Sequence, residues 1–141
     1  MGRHFRIKDD IYRRRVFVFV GSRKELVDHL TATWGRGSIR SLSKDAIGMA
    51  FHFKAPNPEN HVEAQQRSRV YYVWLSCFCG AAEDIGTLAH ECFHAATMIL
   101  DDLGVDTDES DGSEALAYYL DFLVRSALDQ LSAPAGTEFA N

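Results

Sequence analysis

Three cysteines in 141 residues are too few, and odd in number, for a disulfide framework, so an ordinary hydrophobic core must hold this fold. Proline is as scarce. Pro56 and Pro58 share one stretch and Pro134 lies near the end, which leaves long segments free of helix breakers. No apolar run approaches the roughly 20 residues that a membrane helix needs. The opening Met1-Gly2-Arg3-His4-Phe5-Arg6 does not read as a secretory signal, and Gly2 lacks the pattern that follows a myristoylated glycine. Repeats and long linkers are missing too. The expected setting is the cytoplasm.

What is present fits one globular domain. Hydrophobic residues make up 46% of the chain and charged residues 25%, enough apolar surface for a real core at this length. Residues 1–131 are expected to form it, with 132–141 as a frayed tail. Charge is unevenly spread: residues 1–40 hold ten of the fifteen Lys and Arg against four of the acids. Arg13-Arg14-Arg15 invites a nucleic-acid partner, but these arginines immediately precede an apolar strand, where charge commonly guards against aggregation. No basic motif interleaved with aromatics follows, so the expectation is against nucleic acid.

Periodicity places the elements. Arg15 to Val20 is a continuous β-type apolar run, expected as a strand buried on both faces. Arg23 to Trp34 reads as a helix capped by Ser22. Ala46 to Lys54 alternates, with Ile47, Met49, Phe51 and Phe53 on one face and Gly48, Ala50, His52 and Lys54 on the other. Residues 55–60 form a loop by composition, and Arg69 to Cys77 is a further strand. Ala81 to Leu103 reads as a long helix stopped by Gly104, and a second long helix follows near Glu114. The order β-α-β-β-α-α predicts an α+β domain, with a small, mainly antiparallel sheet packed on the first long helix and the second helix antiparallel to it.

The first long helix carries the chemistry. His90-Glu91-Cys92-Phe93-His94 spaces two histidines four apart with a glutamate directly after the first. Residues i and i+4 stack on one helical face, so both imidazoles can hold one metal ion, while Glu91 is turned aside to take a proton from a water. Winding the helix groups Glu83, His90, His94, Thr97 and Asp101 on one stripe. Ile85, Leu88, Cys92, Ala95, Ile99 and Leu103 fall opposite, which predicts a largely buried helix. Cys92 reads as a small hydrophobe, and Cys77-Phe78-Cys79 lacks a second cysteine pair to complete a thiolate site.

Catalytic zinc usually takes three protein ligands, and no histidine follows His94. Among the many downstream acids, Glu114 opens the second helix and is the predicted third ligand. A different role is open to it, because Asp111-Gly112-Ser113-Glu114 also fits a capping box with Asp111 at the N-cap. The stripe Glu114, Tyr118, Asp121 and Arg125 could likewise be solvent-facing, with Asp121 and Arg125 as an i,i+4 pair. Asp101 is read as a partner holding an imidazole N–H.

His90-Glu91-Cys92-Phe93-His94, with Glu114 twenty positions after His94, resembles the gluzincin arrangement of zinc metallopeptidases. The form His-Glu-x-x-His-Ala followed by Glu-Ala-x-Ala-Tyr is similar to small zinc peptidase-like proteins carried by bacteriophages and prophages. A looser likeness extends to SprT-like and ImmA/IrrE-type minimal peptidases. The resemblance covers about residues 80–131 and implies a zincin-like core, Zn²⁺ on His90, His94 and Glu114, and a bacterial or phage-infected host. Two departures stand out. Larger gluzincins carry an aspartate four residues after the ligand glutamate, where this chain has Tyr118, and the SprT-like histidine-glycine signature is missing.

The expected activity is peptide-bond hydrolysis on a peptide or protein substrate. Glu91 serves as general base, and Tyr118, one turn from Glu114, serves as a donor to the oxyanion. An exposed strand edge beside the metal could pair with an extended peptide. His52 and His61 are lesser candidates for the cleft. The alternative is a zinc-stabilised, phage-borne binding or assembly module without proteolytic activity. Oligomeric state and physiological substrate are not legible.

Overall fold

Residues 15–20 set the centre of the molecule. In a computed structural model, which describes residues 2–35, 45–55 and 69–133, Arg15–Val20 forms an inner strand, and we call it β2. It lies between β1 (Arg3–Ile7), antiparallel to it, and β4 (Arg69–Leu75), parallel to it. β3 (Gly48–Lys54) closes the order β1-β2-β4-β3, antiparallel to β4. The expected α+β class holds. The sheet is mixed, however, and not mainly antiparallel as the sequence pattern predicted. The chain leaves β2 through a helix and returns as β3, which runs down the outer side of β4, so β4 must point the same way as β2.

That crossover helix, α1 (Arg23–Trp34), covers one face of the sheet. Its Leu26 and Leu30 pack with Phe19, Phe53, Val70, Tyr72 and Trp74. Ser22 caps it in a reciprocal box with Glu25, and Gly35 ends it at φ 73° in the left-handed region. On the opposite face lie α2 (Ala82–Asp102) and α3 (Ser110–Leu131), burying Leu88, Cys92, Ala95, Ile99, Tyr119 and Leu123 against Val16, Val18, Tyr71, Val73 and Leu75. Helices on both faces explain why β2 and β4 are apolar on both sides.

β1 had no place in the predicted order. Its alternation is masked by arginines that nevertheless have work at both faces: Arg3 donates to the Gln130 and Leu131 carbonyls at the end of α3, and Arg6 sits over the Phe17 ring. In the turn from β1 to β2 the buried Asp9 carboxylate accepts from the Ile11, Tyr12 and Arg14 amides and from the Tyr119 hydroxyl at 2.8 Å. This staples the N-terminal hairpin to α3.

The predicted capping box at Asp111 is not observed. α3 starts at Ser110 with Glu109 at its N-cap, and no side chain caps it. The chain needs that earlier start because Gly112 already lies inside the helix, pressed against Asp106: an ideal Cβ there would fall 1.8 Å from the Asp106 carbonyl oxygen. His61, most of the 55–68 loop and the tail from 134 lie outside the described residues.

Candidate metal centre

α2 contains no proline from end to end, starts with Glu83 and Asp84 in its first turn, and stops at Gly104, whose φ of 77° suits glycine. Its buried stripe comprises Leu88, Glu91, Cys92, Ala95, Ala96, Ile99 and Leu100. His90, Phe93 and His94 lie on the exposed side. Ile85, placed by the helical pattern on the buried side, is 40% exposed.

The structure brings His90 and His94 together. Their Nε2 atoms face one another at 3.2 Å, with ring centroids 4.8 Å apart. Two nitrogens each about 2.05 Å from a tetrahedral zinc ion lie about 3.3 Å apart, so the observed spacing matches one edge of such a site. One ring donating N–H to the other satisfies the same distance when no metal is bound.

Glu91 sits apart from the pair. Its Oε1 is 3.8 Å from His90 Nε2, yet its side chain is 10% exposed where that of His90 is 67% exposed. The cause is β3. Gly48, the first residue of that strand, lies so close that an ideal Cβ would come within 3.3 Å of Glu91 Cγ, 2.9 Å of Thr87 Cγ2 and 3.1 Å of the Trp74 carbonyl oxygen. The carboxylate therefore emerges from beneath an edge strand, next to two solvent-facing imidazoles. Beneath it, burial first and the nearby Glu91 second push the Cys92 thiol up to about 12, which makes it a packing residue and not a nucleophile.

Glu114 and Tyr118 are both exposed, Tyr118 at 71%, on the stripe of α3 facing away from its buried Tyr119, Leu123 and Ala127. Arg125 pairs with Asp121 at 2.9 Å on that same stripe. Among the described residues no group of three or more His, Cys, Asp or Glu is placed to hold a metal ion, so Glu114 is not gathered with the imidazoles. Asp101 is not joined to either ring. It lies about two turns beyond His94 and lines a cavity of about 460 Å³ with Thr97, Met98, Val105, Asp106 and Asp108.

The neighbouring Asp102 is the acid in use, accepting from Tyr71 and from Arg69 at 3.3 Å, and Arg69 also meets His52 Nδ1 at 3.2 Å. His52 thus belongs to a latch between α2 and the sheet. Cys77 and Cys79 are free and exposed, with the Cys79 amide and thiol both bonded to Asp84. That hydrogen bond is the first cause raising the Cys79 thiol above its usual range, which disfavours a thiolate site.

No protein family, curated protein or solved structure matches this chain. The gluzincin-like reading therefore rests on the motif residues and their geometry. No helix among the described residues is long and apolar enough to cross a membrane.

Proposed function

We propose that the protein is a zinc-dependent peptidase whose metal is held by His90 and His94, with Glu91 as general base. The observation that carries the reading is the 3.2 Å approach of the two Nε2 atoms on one exposed helical face. Zinc held there supplies Lewis acidity to a water and to a substrate carbonyl.

Glu91, emerging beside the pair, takes the proton of the attacking water and returns it to the leaving amine. Its shielded stem keeps it close to the imidazoles without competing as a ligand. Tyr118, with its hydroxyl in solvent, donates to the oxyanion. β3 supports an extended peptide as substrate: among the described residues its outer side pairs with no strand, and it begins at Gly48 directly against Glu91. Exposed Ile47, Ile85 and Phe93 add apolar surface around that path.

The second reading is a zinc-stabilised, phage-borne binding or assembly module without hydrolysis, which would need a closed set of four ligands around the metal. Variants separate the two. Glu91→Gln is expected to keep stoichiometric zinc while cleavage of a peptide library falls at least about 100-fold, the usual scale of a general base. His94→Ala is expected to lose both. Undiminished cleavage by Glu91→Gln overturns the peptidase mechanism. Zinc bound normally with no cleavage by wild type selects the module.

A further inference from the structure

We infer that Gly48 is a positioning residue: its missing side chain lets the edge strand β3 lie directly on α2 and clamp the Glu91 stem beneath it. The inference rests on the reading of Glu91 as the general base, and its structural half can be tested without activity.

Three contacts carry it. The atoms an added Cβ would meet are Thr87 Cγ2 at 2.9 Å, the Trp74 backbone oxygen at 3.1 Å and Glu91 Cγ at 3.3 Å. The first is closer than carbon atoms pack, and the second belongs to the sheet backbone of β4, which would have to give by a few tenths of an ångström. A side chain at position 48 therefore has to lift the start of β3 away from α2 or swing Glu91 and Thr87 aside. Gly48 pairs with Leu75 in the ladder, so lifting it also strains that pairing.

The same face of β3 continues with Ala50, another small residue packed towards α2. The strand is thus shaped for close approach at the end where Glu91 lies, and widens only at His52, where the ring stacks on Tyr71 at 5.6 Å. The consequence is a buried carboxylate, 8% exposed as a residue, on a helix whose two histidines one position before and three after it face solvent. Gly48 is what keeps the base aimed along the substrate-binding edge while leaving the imidazoles open.

The test uses the full chain in three forms: wild type, Gly48→Ala, and Gly48→Ala combined with Thr87→Ser, which removes the nearest obstructing carbon. Carboxylates are labelled at fixed pH with a water-soluble carbodiimide and an amine, and the extent at Glu91 is read by mass spectrometry. Wild type is expected to be protected at Glu91. Gly48→Ala is expected to label at least several-fold faster, and the double variant to recover part of the protection.

Zinc content should stay the same in all three. With a cleaved peptide in hand, kcat is expected to fall in Gly48→Ala with KM little changed, and to recover in the double variant. Equal Glu91 labelling in wild type and Gly48→Ala overturns the clamp. If labelling responds as expected but no form cleaves any peptide, the clamp stands and the peptidase reading fails. If Gly48→Ala does not fold, the double variant alone decides, because labelling at the wild-type level together with a wild-type melting temperature supports the clamp and labelling at the rate of a solvent-exposed control carboxylate overturns it.

Discussion

His90 and Glu91 are neighbours in sequence that meet opposite environments, and that contrast gives the motif its chemistry. The imidazole ring needs solvent access to receive a metal and a substrate, and the carboxylate needs a fixed direction. One helical step of about 100° provides both. The histidine pair was legible from spacing alone, because the i,i+4 rule is local. The depth of Glu91 was not, since it depends on Gly48, more than forty positions earlier and on another element.

The same limit hid His29. In the structure its Nε2 lies 3.0 Å from the Tyr72 hydroxyl, which accepts from Trp34 Nε1 at 2.7 Å, and its ring lies 4.5 Å from that of His4. Burial, and then the like charge of His4, lower the His29 pKa to about 4. The unfolded chain takes up this proton near its ordinary value of about 6.5 while the folded protein does not, so stability falls as pH drops from about 6.5 towards 4. Replacing His29 with Gln is expected to flatten that part of a melting-temperature profile between pH 7 and 4. An unchanged slope contradicts the account.

At the level of elements, local signals did well where the ends were marked by their own residues. Ser22 and Gly35 bound α1, and Gly104 stops α2 within a residue of the expected place. They did poorly at α3, where the start is set by packing against residues 106–107 and not by a cap. β1 escaped because Arg3 and Arg6 look like solvent-facing charge until the end of α3 and the Phe17 ring are in place beside them.

Two helical glycines turn this into a paired expectation. An added Cβ at Gly86 in α2 meets nothing within 4 Å, so Gly86→Ala should stabilise the protein by about 0.5–1 kcal/mol through helix propensity. Gly112→Ala gains the same propensity but drives a methyl into the Asp106 carbonyl, so it should destabilise by about 2 kcal/mol or more. Urea denaturation of both variants checks the signs, and equal effects would refute the proposed close approach of α3 to that loop.

For the whole molecule, the α+β class followed from the order of elements, while the direction of the inner strands did not. A parallel β2–β4 pair requires knowing that β3 folds to the outside of β4, and nothing in the alternation of residues 48–54 says which edge they take. That choice matters most for function. It leaves β3, among the described residues, as an edge strand alongside α2, with α1 sent to the far face, so the imidazole pair and that strand edge share the layer formed by α2 and β3.

Glu114 shows the converse: a plausible ligand by sequence position that lies on the solvent-facing stripe of α3 once the helix is docked through Tyr119 and Leu123. The two-histidine anchor is thus the claim on which the rest depends. Zinc K-edge X-ray absorption of the zinc-loaded protein tests it most directly. The expected spectrum shows two imidazole nitrogens at about 2.0–2.1 Å from the metal, with one or two oxygen neighbours. A protein that takes up no zinc, or holds it without imidazole scattering, contradicts the account.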